Sequence, residues 1–238
     1  MAGVWLILPT YDEAENIERI VGAALPQLAT TGLEHRILVV DDGSPDGTGE
    51  IADRLAVAHD EVEVLHRTSK EGIGPAYIAG FRRALDAGAD LVMEMDSDFS
   101  HDPADIPRLV AAAEDADLVL GSRYVEGGGV TDWGLARRLI SRGGSLYARL
   151  LLGVPVRDLT GGFKCFRRAV LETLDLSSVG TDGYGFQIEV TYRTLKAGFR
   201  VREIPILFRD RRVGASKMSA RIAIEAFWKV PLLRRRVG

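Results

Sequence analysis

Short apolar runs alternate with longer amphipathic stretches through the first half of the chain. Residues 4–8 form an apolar run closed by Pro9, and residues 16–28 place Ile17, Ile20, Val21, Ala24, Leu25 and Leu28 at helical spacing, which predicts strand, loop and helix. Residues 36–40 read as a second buried strand, stopped by a turn of aspartate, glycine and proline at 41–47. The pattern then repeats: helix over 48–59, strand over 62–65, helix over 75–87, strand over 90–95, helix over 103–114 and strand over 118–120. Such alternation predicts an α/β fold, a mainly parallel central sheet flanked by helices on both faces. The second half is less regular, with helices expected over 135–152 and 184–197 and a strand over 201–206. From Lys217 to Val230 the apolar positions share one broad face, and Arg234, Arg235 and Arg236 follow. This is the pattern of an amphipathic C-terminal helix with a basic end, suited either to a membrane interface or to ordinary docking on the domain.

Polar residues collect just after the predicted strands, at 9–13, 41–42, 96–98 and 121–123. In open α/β sheets the ligand crevice lies beyond the carboxyl ends of the strands, so clusters distant in sequence can converge there. Asp96 and Asp98, one residue apart at a strand end, can turn toward one divalent ion if the chain leaves its extended conformation. Mg²⁺ and Mn²⁺ prefer such hard oxygen ligands and often complete their shell with phosphate oxygens. The competing reading is an acidic turn capping the next helix. Asp41 and Asp42 can accept hydrogen bonds from a base or ribose, or simply shape a turn. Gly72 and Gly74 in the 70–76 segment can admit a nucleotide or make a turn. Arg123, Arg202, Arg209, Arg211, Arg212 and Lys217 offer cations for phosphate, with 208–217 as a candidate clamp. Asp158, in a glycine-containing polar turn, is a candidate for approaching sugar or metal. Gln187 and Glu189 form either a sugar-contacting pair or an exposed helix face.

Charge and composition narrow the function. Acidic residues outnumber lysine and arginine 34 to 30 in 238 residues, which gives no field for holding a long polyanion and excludes nucleic acid as the main partner. The single Cys165 cannot form an internal disulfide, and four scattered histidines lack zinc-ligand spacing, so a reducing cytoplasm is expected. No segment has the apolar length to span a bilayer and the start lacks a basic leader, so membrane association is expected to be peripheral, on the cytoplasmic face.

Taken together, the segments 9–13, 41–48, 95–101, 121–124 and 158–164 resemble those of the polyprenol (dolichol) monophosphate mannose synthases, inverting GT-A glycosyltransferases of family 2, over about residues 4–217. The resemblance implies a single GT-A type domain over 1–216 and an amphipathic basic tail over 217–238. It implies metal-dependent transfer of mannose from GDP-mannose to polyprenyl phosphate at a membrane surface, with a separate membrane-anchoring protein as a further partner. Pro9, Tyr11, Glu13 and Asp42 would line the nucleoside site, and Asp96 and Asp98 would hold Mg²⁺ or Mn²⁺. Ser100 stands where many relatives carry glutamine beside that metal, and Asp12 where asparagine is more usual. Arg123, Arg202 and the segment from Arg209 to Lys217 would bind phosphate, and Asp158 would position groups for catalysis. A polyprenyl-phosphate glucosyltransferase using UDP-glucose, and a non-catalytic nucleotide-binding module, are the alternatives.

Overall fold

The computed structural model describes residues 3–131, 133–180, 183–210 and 230–237. Three strands, β1 (Gly3–Thr10), β2 (Glu34–Asp41) and β3 (Val62–His66), pair in parallel and are joined by α1 (Ile17–Ala29) and α2 (Thr48–Ala58). Helix α3 (Ile73–Asp86) then returns the chain to β4 (Leu91–Glu94), parallel to β1 on its other side, and α4 (Ile106–Ala112) leads to β5 (Leu118–Ser122). A short strand β6 (Gly129–Val130), the long helix α5 (Leu135–Leu152), β7 (Lys164–Arg167), α6 (Arg168–Thr173), α7 (Tyr184–Lys196), β8 (Val201–Pro205) and β9 (Leu207–Phe208) follow. Residues 230–237 form a further helix, α8.

The main sheet runs β3-β2-β1-β4-β7-β5-β8. Strand β7 lies antiparallel to both β4 and β5, so the sheet is mainly parallel, as predicted, with one reversed strand. Alternation along the strands divides the core. Trp5 and Ile7 face α3, with Tyr77 and Phe81, together with Phe186 and Ile188 of α7. Val4, Leu6 and Leu8 face α1, with Ile17, Ile20 and Val21, and α4, with Ile106 and Leu109. Period-two burial in strands between helices on either side is what makes the sheet a two-sided core. Helix α3 approaches the sheet closely at Gly80, where a Cβ would stand 2.4 Å from Ile7 Cγ2, so only a residue without a side chain fits.

The predicted 103–114 helix is a 3-10 turn at Pro103–Asp105 continuing into α4. In α8, Val230 and Leu233 are buried, and Arg234 and Arg236 donate to the backbone carbonyls of Leu151 and Ser178 at 2.9 and 3.4 Å. The described end of the tail therefore docks on the domain. The amphipathic pattern of 217–229 and Lys217 lie outside the described residues. No helix among the described residues is long and apolar enough to cross a membrane.

Candidate active site

Beyond the carboxyl ends of β1, β2 and β4 lies a cavity of about 260 Å³, whose lining includes Pro9, Tyr11, Glu13, Asp42, Asp96, Asp98, Ser100 and Arg123. The four strand-end clusters thus meet at one place. Their loops are stitched together: Asp12 N donates to Ser44 Oγ at 3.2 Å, Glu13 N to Thr48 Oγ1 at 2.9 Å and Ala14 N to Asp46 Oδ2 at 3.0 Å. Asp12 sits at φ 53°, a left-handed conformation that aspartate and asparagine tolerate better than other side chains do. That shared tolerance gives a physical reason why either residue serves there.

Asp42 is oriented by Arg67, whose guanidinium meets Oδ1, and by the N–H groups of Glu71 and Gly72, both 3.1 Å from Oδ2. The Lys70 ammonium lies 3.7 Å from the centre of the Tyr11 ring. Asp41 does not line the cavity; it accepts from Ser44 N at 3.3 Å and faces His66, shaping the turn that presents its neighbour.

At the end of β4 the chain leaves its extended path, and Phe99 takes φ 61°. Asp98, buried, accepts from Ser100 N at 2.9 Å, and the Tyr77 hydroxyl stands 3.5 Å from Asp96 Oδ1. Capping of the next helical segment falls to Asp102, which accepts from Ala104 N at 3.0 Å; Asp96 and Asp98 are not its caps. The buried His101 ring accepts from Asp96 N through Nδ1 at 3.3 Å, which leaves its proton on Nε2. Burial pushes this imidazole down to about 4, so it is neutral at pH 7.

Arg123 and Asp158 form a buried, two-pronged pair. Arg123 Nε and Nη2 donate to Oδ2 and Oδ1 at 2.7 Å each, its backbone N adds a third bond at 2.9 Å, and Nη2 also reaches Thr160 Oγ1. Burial opposes both charges, but each partner outweighs it, holding the guanidinium above and the carboxyl below their ordinary values. Asp158 N in turn donates to Glu203 at 2.9 Å, tying the 157–162 turn to β8.

Several predicted residues lie elsewhere. Arg202 enters near the amino end of β8, its side chain 54% exposed and 3.8 Å from Asp115, at the opposite end of the sheet from the cavity. Arg209 pairs with Asp102 at 3.4 Å in a neighbouring groove behind the 96–101 loop. Gly74 is buried in the first turn of α3 and does not line the cavity. Gln187 lines it, whereas Glu189 is fully buried against Arg193, which excludes the exposed helix face.

A model of the glycosyl transferase family 2 matches residues 5–175. This chain belongs to glycosyltransferase family 2. It is 50% identical over 230 residues to a polyprenol monophosphomannose synthase of Mycolicibacterium smegmatis, covering 94% of this chain and 84% of that one. It is 47% identical over 223 residues to an undecaprenyl-phosphate mannosyltransferase of Micrococcus luteus, covering 94% and 90%. The glucosyl-3-phosphoglycerate synthase of Mycobacterium tuberculosis, solved with Mn²⁺, UDP and its product, superposes with a TM-score of 0.72 at 21% identity, covering all of this chain and 81% of that one. That likeness shows the GT-A type fold.

Within this glycosyltransferase, the residues fit a divalent cation only as part of its shell. Among the described residues there is no group of three or more carboxylate, histidine or cysteine side chains placed to hold a metal. Asp96 and Asp98 supply two carboxylates, and the buried Ser100 Oγ, which has no hydrogen-bond partner among the described residues, adds a third hard oxygen on the same turn. Such a set suits Mg²⁺ or Mn²⁺ sharing its coordination with a diphosphate.

Sequence reading missed a second, mainly apolar cavity of about 350 Å³ beside the first, lined by Ile140, Tyr147, Ala148, Ile188 and Val230 among others. Trp133, Arg137, Thr160 and Tyr184 line both. No local spacing marks these four, because they come from separate loops and helices.

Proposed function

We propose that this glycosyltransferase moves mannose from GDP-mannose to the phosphate of a polyprenyl phosphate, releasing GDP and inverting C1. The observation that carries this reading is the pair of cavities with a common wall, one bearing the carboxylates Asp42, Asp96 and Asp98 at the strand ends, the other apolar and running along α5. A sugar nucleotide matches the first and a prenyl chain the second, which puts donor and acceptor phosphate at the shared wall. Two relatives at 50% and 47% identity that carry the names of polyprenyl-type mannose transferases support the same sugar and the same class of acceptor.

Asp42, held by Arg67, and Tyr11, stacked under Lys70, face the nucleoside side. Asp96, Asp98 and Ser100 would hold Mg²⁺ or Mn²⁺, which when bound neutralises charge on the departing diphosphate. The acceptor is a phosphomonoester with a second pKa near about 6, so it is largely dianionic at neutral pH and attacks C1 without a dedicated base. Attack from the face opposite the leaving group inverts the α-linked sugar to a β-linkage. Arg137 brings a guanidinium to the wall where that phosphate must sit. Arg123, engaged by Asp158 and Thr160, acts by fixing the 158–162 turn against the end of β5.

A membrane surface supplies the acceptor, and α5 is built to meet one. Leu139, Leu146 and Leu150 share a stripe 52–71% exposed, Ile140 lies beside it, and Arg138, Arg142 and Arg149 flank it; the helix has no acidic residue. Apolar side chains can enter the acyl boundary while arginines meet anionic headgroups, on the cytoplasmic face. Incubation of the protein with GDP-mannose and Mg²⁺ or Mn²⁺, with and without polyprenyl phosphate, followed by mass analysis, tests the reading. Lipid-dependent mannosyl phospholipid and GDP are expected; an untouched donor, or preferential use of UDP-glucose, refutes it.

A further inference from the structure

Beneath the floor of the strand-end cavity lies a group of buried polar side chains with no part in the chemistry above. Glu94 closes β4 and Lys164 opens β7, opposite one another in register, and both are fully buried. The Lys164 ammonium stands 3.9 Å from Glu94 Oε2 and 3.2 Å from the backbone carbonyl of Gln187, and it also meets the Gln187 side-chain oxygen. Both Gln187 oxygens accept from the ammonium, which has no acceptor of its own, while Glu94 stands beyond hydrogen-bond distance and contributes its charge. The Gln187 carboxamide must therefore turn its oxygen inward, since the reversed amide would set NH₂ against NH₃⁺. Its Nε2 consequently faces Gly162. A Cβ on Gly162 would stand 3.4 Å from that nitrogen and 3.6 Å from Asp96 Oδ1, so the missing side chain of Gly162 keeps open the gap between them.

Resting on the sugar-transfer reading, we propose that the buried Glu94–Lys164 pair fixes Gln187 as a one-way donor whose Nε2–H reads a hydroxyl of the transferred sugar beside Asp96. Gln187 is then a sugar-contacting, specificity-determining residue, and Lys164 is a positioning residue acting through it. A buried ion pair that sets the polarity of one amide is a use of buried charge for specificity rather than for stability.

The test uses the full chain with GDP-mannose and analogues each lacking one sugar hydroxyl, polyprenyl phosphate being the acceptor. In the unaltered protein, the analogue without the hydroxyl read by Gln187 loses about tenfold in kcat/KM. In Gln187→Met that analogue and GDP-mannose become equal, while the other analogues keep their original penalties. Lys164→Met abolishes the same single discrimination although its side chain never reaches the cavity. Calorimetric affinities for the same donors, measured without acceptor, follow the same pattern. Should Lys164→Met not fold, Gln187→Glu replaces it: the carboxylate keeps a partner in Lys164 but has no N–H, and it loses the same discrimination. Penalties that remain multiplicative for every analogue in Gln187→Met, with mannose still transferred to lipid by the unaltered protein, overturn the role of Gln187 alone. Absence of lipid-dependent mannose transfer by the unaltered protein overturns the function reading and this inference together.

Discussion

Replacing Asp158 by asparagine keeps the shape of the side chain and removes its charge at the most densely bonded carboxylate of the site. Asp158 accepts Arg123 Nε and Nη2 at 2.7 Å and Arg123 N at 2.9 Å, with neither side chain significantly exposed. In Asp158→Asn one of the two oxygens becomes an NH₂ group facing a donor, and the guanidinium is left buried without a counter-charge. Breaking one side of a buried pair costs about 3–5 kcal/mol. For a chain of this size, where each kcal/mol shifts Tm by roughly 2–4 °C, the expected fall is about 6–20 °C. The measurement belongs at pH 7. The folded carboxyl lies below its unfolded value, so its contribution is present above the unfolded pKa and is lost only as pH falls through the folded one. Urea unfolding gives the free energy directly, and an Arg123→Met, Asp158→Leu double variant should recover part of the loss, since an apolar pair leaves no stranded charge. A loss below about 1 kcal/mol in Asp158→Asn would falsify the structural role given to this pair.

Asp96→Ala and Asp98→Ala are each expected to abolish mannose transfer and to weaken Mn²⁺ affinity in the presence of GDP, measured by the free-ion paramagnetic signal; near-normal turnover in a strictly metal-dependent assay rejects their assignment. His101, neutral and buried with its pKa at about 4, makes the unfolded chain bind a proton first as pH drops, so stability declines from about pH 6.5 to about pH 4 by roughly 3 kcal/mol. His101→Asn, which can still accept from Asp96 N, should flatten that slope in urea titrations. Gly80→Ala drives a methyl into Ile7 and is expected to cost about 1–3 kcal/mol in thermal or urea unfolding, with Gly80→Ala, Ile7→Val recovering part of it. An unchanged midpoint for the single variant shows that α3 can move away from β1.

Local pattern carried β1 to β5, α1 to α5, α7 and β8 because helix and strand periodicity is written in neighbouring residues, whereas the short β6, β7, α6 and β9 were not predicted. The 16–28 expectation lies one residue from α1 at Ile17–Ala29, and the 135–152 expectation coincides with α5 in spite of its paired glycines. The placement of 9–13, 42, 96–98 and 123 around one cavity was also legible, since in a parallel sheet every strand delivers its following loop to the same end. Arg202, expected at phosphate from its charge and the family resemblance, instead lies at the amino end of β8, away from the cavity, because it is the second residue of that strand. Reversal of β7 was not legible, because four residues beginning with a lysine and ending with an arginine carry no sign of direction or of a central place in the sheet. That reversal buries Lys164 beside Glu94 and under Gln187, so the polarity of one amide on the cavity floor is decided by residues far apart in sequence. The apolar cavity beside α5 likewise depends on loops and helices that meet only in three dimensions. Sequence by itself determined which segments become strands and helices and which polar groups follow them, since those are short-range preferences of the backbone. Tertiary structure decided which charges are paired, buried or turned away, because desolvation and hydrogen bonding depend on what packs against a group and not on what precedes it.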